Sequence, residues 1–250
     1  MKRKLVAALA CRNQGTRLYG KPLQNLDIEK GITILDYMIC SMKNYKCVDE
    51  IVLSICEGNH NNIYQEIADN HSINYTFGNE EDVLGRLIQS TKSVSGTDIF
   101  RLTSESPFTY YELIESGWQD HLVNNADLTA LDNVPDGSGF EIIKLNAYET
   151  SHAYGEARHR SELCSLYIRE NKNKFNIHLL DKPLSIARPD IRLTVDYPED
   201  LVVCRAVYEK FKKSAPLIPL GEIINFIDSR EDLRNLIAPF VEGGLKTMYL

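Results

Sequence analysis

Residues 12–23 read Arg-Asn-Gln-Gly-Thr-Arg-Leu-Tyr-Gly-Lys-Pro-Leu, which puts three cations and two glycines into one loop-length segment. Arg12, Arg17 and Lys21 supply two guanidinium forks and one ammonium. Such groups clamp phosphate oxygens and neutralise the charge that gathers on a departing pyrophosphate. Gly15 and Gly20 allow the backbone to approach a phosphate closely, and with Ala10 and Thr16 they make the loop a candidate nucleotide cradle. Any one of these cations alone reads as a solvated loop residue; the density argues for a site.

The elements that must position the loop follow from the hydrophobic pattern. Residues 5–10 form a continuous apolar run that opens directly onto the loop, the mark of a strand buried on both faces. Helical spacing over 34–42, a strand over 50–56, a helix over 61–68, a strand over 73–77, a helix over 81–93, a strand over 98–103 and a helix over 110–123 continue the alternation. These units predict an α/β fold with a doubly wound, mostly parallel sheet. Ligands in such sheets bind at the carboxyl ends of strands, where this loop falls. After residue 127 the pattern loosens into strands at 127–131 and 140–145, separated by a turn-rich stretch. A short strand at 192–195, a helix from Pro198 through Phe211 and a helical tail over 220–236 close the chain. Neither a repeat nor a linker interrupts it, so 1–250 reads as one domain.

Composition narrows the class. A formal charge of −7 argues against wrapping a nucleic acid, which takes clustered Lys and Arg. Six cysteines lack zinc spacing and sit largely in apolar runs, as in a reducing cytosol. The basic start Met1-Lys2-Arg3-Lys4 precedes an apolar stretch too short for a secretory signal, and no run approaches a membrane span, so the expected location is the cytoplasm.

The loop resembles the signature of the CTP-dependent cytidylyltransferases that activate sialic acid, Kdo and related acids, and especially their spore-coat-polysaccharide branch. That pattern is Arg-x-x-Ser-x-Arg-Leu-Pro-Gly-Lys. Arg12, Arg17, Leu18, Gly20 and Lys21 match in order, with Gly15 in place of the serine and Tyr19 in place of the proline. Three further segments are similar to family motifs in the family's order: Gly78 to Arg86, Arg101 to Pro107, and Leu193 to Asp200. The resemblance implies a three-layer Rossmann-like nucleotide-diphospho-sugar transferase fold, with a small β excursion at 127–145 for dimerisation or the acceptor side. It also implies transfer of CMP from CTP to a small acidic or sugar-like acceptor, by a homodimer that uses Mg2+.

On this resemblance Glu105 and Asp196 hold the metal, and Arg86 and Arg101 border the nucleotide or acceptor. Magnesium commonly takes one or two carboxylates with phosphate oxygens and waters, which these two can supply from neighbouring strand ends. Glu105 stands where the family has aspartate, so manganese, or a contact through water, is the alternative. Asp196 could instead cap the helix that begins near Pro198. Arg86 could simply pair with Asp82 one turn earlier. The Gly-Thr-Arg-Leu string at 15–18 also occurs in sugar-1-phosphate nucleotidyltransferases. Those enzymes place several residues before their Lys-Pro, whereas Lys21-Pro22 follows here almost at once. A non-catalytic nucleotide-binding relative is the remaining alternative.

Overall fold

Leu5, Ala7, Leu9 and Cys11 are buried on one face of the first strand and Ala8 on the other, so both faces of the strand must be covered. The computed structural model describes residues 2–15 and 17–245 and places this strand, β1 (Leu5–Cys11), at the centre of the sheet. Thr16, expected in the nucleotide cradle, lies outside the described residues.

The order continues with β2 (Asn25–Asp27), β3 (Ile32–Thr33), α1 (Ile34–Met42), β4 (Glu50–Cys56), α2 (Ile63–His71), β5 (Asn74–Gly78), α3 (Val83–Ser93), β6 (Asp98–Thr103) and α4 (Ile114–Val123). It ends with β7 (Leu128–Ala130), β8 (Glu141–Lys144), α5 (Leu145–Tyr154), α6 (Leu166–Glu170), β9 (Ile177–Leu179), α7 (Pro198–Phe211), α8 (Leu220–Asp228) and α9 (Glu231–Leu245). Among the described residues seven strands form the main sheet in the order β5-β4-β1-β6-β8-β7-β9. β1 pairs in parallel with β4 and β6, and β4 with β5, while β8 runs antiparallel to both neighbours. The chain therefore winds to one side of β1 and then returns to the other. That reversal opens a crevice at the carboxyl ends of β1 and β6.

Helices cover both faces. Ile34, Leu35, Met38 and Ile39 of α1 pack with Leu9, Leu53 and Phe100 on one face; Leu84 and Leu87 of α3 pack with Ala8, Ile99 and Ile143 on the other. Each fully buried leucine contributes about 2 kcal/mol. Local signals agree with these ends. Thr33 and Asp36 form a reciprocal cap that starts α1, and Asp82 accepts from the Gly85 amide at 2.8 Å to start α3.

The strands expected in 127–145 form, but within the central sheet as β7 and β8. What extends beyond the sheet is the loop between them, 131–140. The strand expected at 192–195 reduces to a single bridge between Asp136 and Arg192, because its backbone partners are split between the Asp136 loop and the Glu105 carbonyl and no continuous ladder forms. The tail is two helices: the amides of Ser229 and Arg230 cap α8 by bonding back to carbonyls of its last turn.

At the amino-terminal edge of the sheet lies a second buried polar group. Asp98, His121 and Thr129 have no exposure, and Arg3 reaches in to bond both Asp98 and His121. The cluster is far along β1 and β6 from the crevice.

Candidate active site

The loop after β1 is tied down before it reaches the crevice. Tyr64 of α2 donates to the Arg12 carbonyl at 3.0 Å, the Asn13 amide donates to Asn61 Oδ1 at 2.9 Å, and the Gly20 amide closes onto the Asn13 carbonyl at 2.8 Å. Gly20 has φ of 56°, a left-handed conformation that favours glycine. A β-carbon on Gly15 would stand 2.4 Å from the Leu18 carbonyl oxygen, so the turn excludes the serine of the family pattern at this position.

Beside the loop the crevice widens into a cleft of about 800 Å3, lined by the loop itself, the ends of β1 and β6, and residues 131–141. Lys21 lies between two carboxylates. Its Nζ is 2.6 Å from Asp196 Oδ1 and 3.8 Å from Glu105 Oε1, and Arg17 Nη2 donates to the same Asp196 oxygen at 2.9 Å. The Arg17 guanidinium also lies over the Tyr197 ring, 4.9 Å from its centre. Arg12 is exposed on the cleft wall, and the Ala10 carbonyl accepts from Ser104 Oγ at 2.8 Å beneath it.

The two carboxylates differ. Burial pushes the Asp196 carboxyl upward, but the Lys21 hydrogen bond and the charges of Lys21, Arg17 and Arg192 outweigh it and hold the group below the usual carboxylate range. Burial pushes Glu105 above its ordinary value; Lys21 pulls it back and the Asp196 charge adds to the rise. An arriving cation therefore meets one committed anion and one carboxyl whose ionisation burial and the Asp196 charge oppose. Among the described residues no group of three potential metal ligands occurs. Two carboxylates flanking one ammonium still suit magnesium, which completes its octahedron with phosphate oxygens and water.

Asp196 is not a helix cap. The first turn of α7 is held by Asp200, whose Oδ2 accepts from the Asp196 and Tyr197 amides at 3.0 Å each. Arg86 does not pair with Asp82 either; its Nη1 donates to the carbonyls of Asn79 and Glu80 at 2.6 and 2.9 Å, fixing the loop before α3 along the cleft wall. Arg101 bonds Glu141 Oε2 at 3.1 Å and the Glu162 carbonyl at 2.5 Å. Its neighbour in this web, Arg169, forks onto Asp132 and reaches Glu141 Oε1 at 2.9 Å.

Sequence reading singled out Arg12, Arg17, Lys21, Glu105 and Asp196, and the fold brings them to one cleft. It missed Asp132, Glu141 and Arg169, which fall where no motif points, and Arg192. The signal for Arg192 was present: an arginine inside the apolar run Ile191 to Val195 predicts a buried, paired cation.

Residues 7–232 match the family model described as cytidylyltransferase. A relative, the spore coat polysaccharide biosynthesis protein SpsF of Bacillus subtilis, is 27% identical over 226 residues, 90% of this chain and 94% of that protein. A solved cytidylyltransferase from Leptospira borgpetersenii superposes with a TM-score of 0.82 at 21% identity, over 93% of this chain and 96% of that one. A CMP:2-keto-3-deoxy-manno-octonic acid synthetase complexed with CTP superposes with a TM-score of 0.64 at 13% identity, over 83% and 99%.

Proposed function

Since the chain belongs to the cytidylyltransferase family, we propose that it transfers CMP from CTP to a small acidic or sugar-like acceptor and releases pyrophosphate. The observation that carries this reading is the meeting of Arg12, Arg17 and Lys21 with Asp196 and Glu105 at the crevice between β1 and β6.

An acceptor oxygen attacks the α-phosphorus of CTP. The bond between that phosphorus and the bridging oxygen breaks, and its electrons leave on pyrophosphate. Arg12 and Lys21 bind the phosphate oxygens and neutralise the charge that grows on the leaving group, while Arg17 clamps from the Tyr197 side. Asp196 and Glu105 hold magnesium, or manganese, which supplies a further positive charge to the phosphates when bound. The loop fixed by Arg86 borders the nucleotide, and the Arg101–Glu141–Arg169 web forms the acceptor half of the cleft. The SpsF relationship supports a role in polysaccharide assembly. A cytoplasmic homodimer, with the 127–145 segment near its contact or the acceptor, completes the reading. No helix among the described residues is long and apolar enough to cross a membrane.

Pyrophosphate release tests this directly. With CTP, Mg2+ and a panel of sugar acids that includes Kdo and N-acetylneuraminate, at least one acceptor raises release above CTP alone, and ATP does not substitute. Absence of release across the panel, in a chain that binds CTP, points instead to a non-catalytic nucleotide binder. The turn at Gly15 gives a second check. Gly15→Ser restores the family residue yet forces the loop off Leu18, so CTP affinity falls by about tenfold to a hundredfold in calorimetric titration. Unchanged affinity would show that the turn is not part of the phosphate site.

A further inference from the structure

Arg192 is the largest fully buried side chain in the described structure, with 1% exposure. A guanidinium has five N–H groups, and here five acceptors meet them. Nε donates to Asp200 Oδ1 at 3.0 Å and Nη2 to Asp200 Oδ2 at 3.1 Å. Nη2 also reaches Asp196 Oδ2 at 3.2 Å, and Nη1 bonds Asp136 Oδ2 at 2.7 Å and the Phe240 carbonyl at 3.4 Å. Asp196 is thereby divided: Oδ1 faces Lys21 and Arg17 in the cleft, and Oδ2 is held from behind.

Each remaining contact anchors this arrangement to a different element. Asp200, in the first turn of α7, is fixed by the Asp196 and Tyr197 amides just before the helix. Asp136 belongs to the loop that overhangs the cleft and is bound on both sides to the Arg192 segment, through Ile191 and Leu193. From α9, Phe240 stacks on Tyr197 with ring centres 4.2 Å apart, and Gly244 lies so near that a β-carbon there would come within 2.2 Å of Arg192 Nη1.

We infer that Arg192 is a positioning residue for the reaction: seated by α9, it holds one oxygen of Asp196 so that the other is presented to the metal. The inference rests on the metal role given to Asp196 above. A guanidinium is required because a lysine ammonium has three donors on a flexible stem and cannot span three carboxylates in one plane. Glycine is required at 244 because any side chain would press on the fork.

The test is calorimetric binding of CTP at graded MgCl2, run beside thermal melts, for the wild type, Arg192→Lys and Gly244→Ala. Outer partners of metal ligands typically affect metal affinity tenfold or more, so the Mg2+ concentration for half-maximal CTP binding is expected to rise about tenfold in Arg192→Lys. CTP affinity at saturating Mg2+ then returns to within about twofold of wild type. Gly244→Ala shifts the midpoint in the same direction by pressing on Arg192 and Asp136, without touching Asp196 or Glu105, although alanine favours the helix. A structural role alone lowers the melting temperature and leaves the Mg2+ midpoint in place; unshifted midpoints in the folded variants would overturn the inference. Should Arg192→Lys fail to fold, Gly244→Ala decides alone. A wild-type chain that binds no CTP instead overturns the reading on which the inference depends, and the inference with it.

Discussion

Lys21→Ala is expected to lower kcat/KM for CTP by about a hundredfold to a thousandfold, the usual consequence of deleting one preorganised group that meets charge developing in the transition state. Two effects combine. Lys21 is the ammonium nearest both carboxylates, at 2.6 Å from Asp196 and 3.8 Å from Glu105, and its side chain is only 16% exposed, so water screens it poorly. Its removal takes a positive charge from the leaving pyrophosphate and exposes the two carboxylates to each other. Arg17 does not replace it, because that guanidinium is more exposed and is engaged with Asp196 and the Tyr197 ring. Lys21→Arg is expected to recover little, because a planar fork on a longer stem does not put its charge at the point that the ammonium occupies between Asp196 and Glu105. Pyrophosphate release with the acceptor found in the panel measures both variants. A loss below about tenfold in Lys21→Ala would remove Lys21 from the chemistry.

The largest stability effect is expected at the opposite edge of the sheet. Arg3→Ala leaves Asp98 buried without its cation and costs about 3 kcal/mol near pH 8. Arg3 can only donate, so its contact with His121 Nε2 at 2.9 Å requires that nitrogen to accept, which puts the ring proton on Nδ1 facing Thr129 Oγ1 at 2.9 Å. Burial lowers the His121 pKa, with the Arg3 charge acting in the same direction and Asp98 opposing. Burial would raise Asp98, but its contacts with His121, Arg3 and Thr97 bring it below its usual value.

The signs of the pH effects follow from these directions. In the wild type the depressed histidine costs stability as pH falls through about 6.5, and the depressed carboxylate costs more only at lower pH. In Arg3→Ala, His121 keeps Asp98 3.2 Å from Nε2 and loses the repelling guanidinium, so its pKa is less depressed than in the wild type. The variant loses less stability than the wild type as pH falls through about 6.5. The deficit of the variant is therefore smaller near pH 5.5 than near pH 8. Denaturant melts of both proteins at the two pH values measure it; a deficit that grows on acidification would show that His121 does not take over as counter-ion.

Much of this fold was legible because local and tertiary forces agreed. β1, α1, β4, β6 and α7 fall where the pattern put them: continuous apolar runs for the central strands, clean helical spacing with a cap or a first-turn proline for the helices. β9 and α6 left no trace in the pattern, since three and five residues are too few for a period to emerge. α5 was passed over because only Ala147, Tyr148 and Ser151 of its ten residues are buried, and a polar sequence with so narrow an apolar face reads as loop.

The site divides in the same way. Arg12, Arg17 and Lys21 were visible as a density of cations, and Glu105 and Asp196 through the resemblance of their segments to family motifs. The Arg192 network was not, because Asp136 stands 56 residues away in sequence and only the fold brings it to the guanidinium. The placement of the 127–145 strands was not legible for a related reason: alternation shows that strands form but not which sheet they join, and here antiparallel β8 joins the central one.

The most direct test of the central claim is calorimetric titration of the wild-type chain with CTP, ATP, GTP and UTP in the presence of Mg2+. Binding of CTP with each other nucleotide weaker by at least about tenfold is the expected result, as for a site that hydrogen-bonds one base. Failure to bind CTP, or preference for another nucleotide, would contradict the assignment of CTP to the cleft.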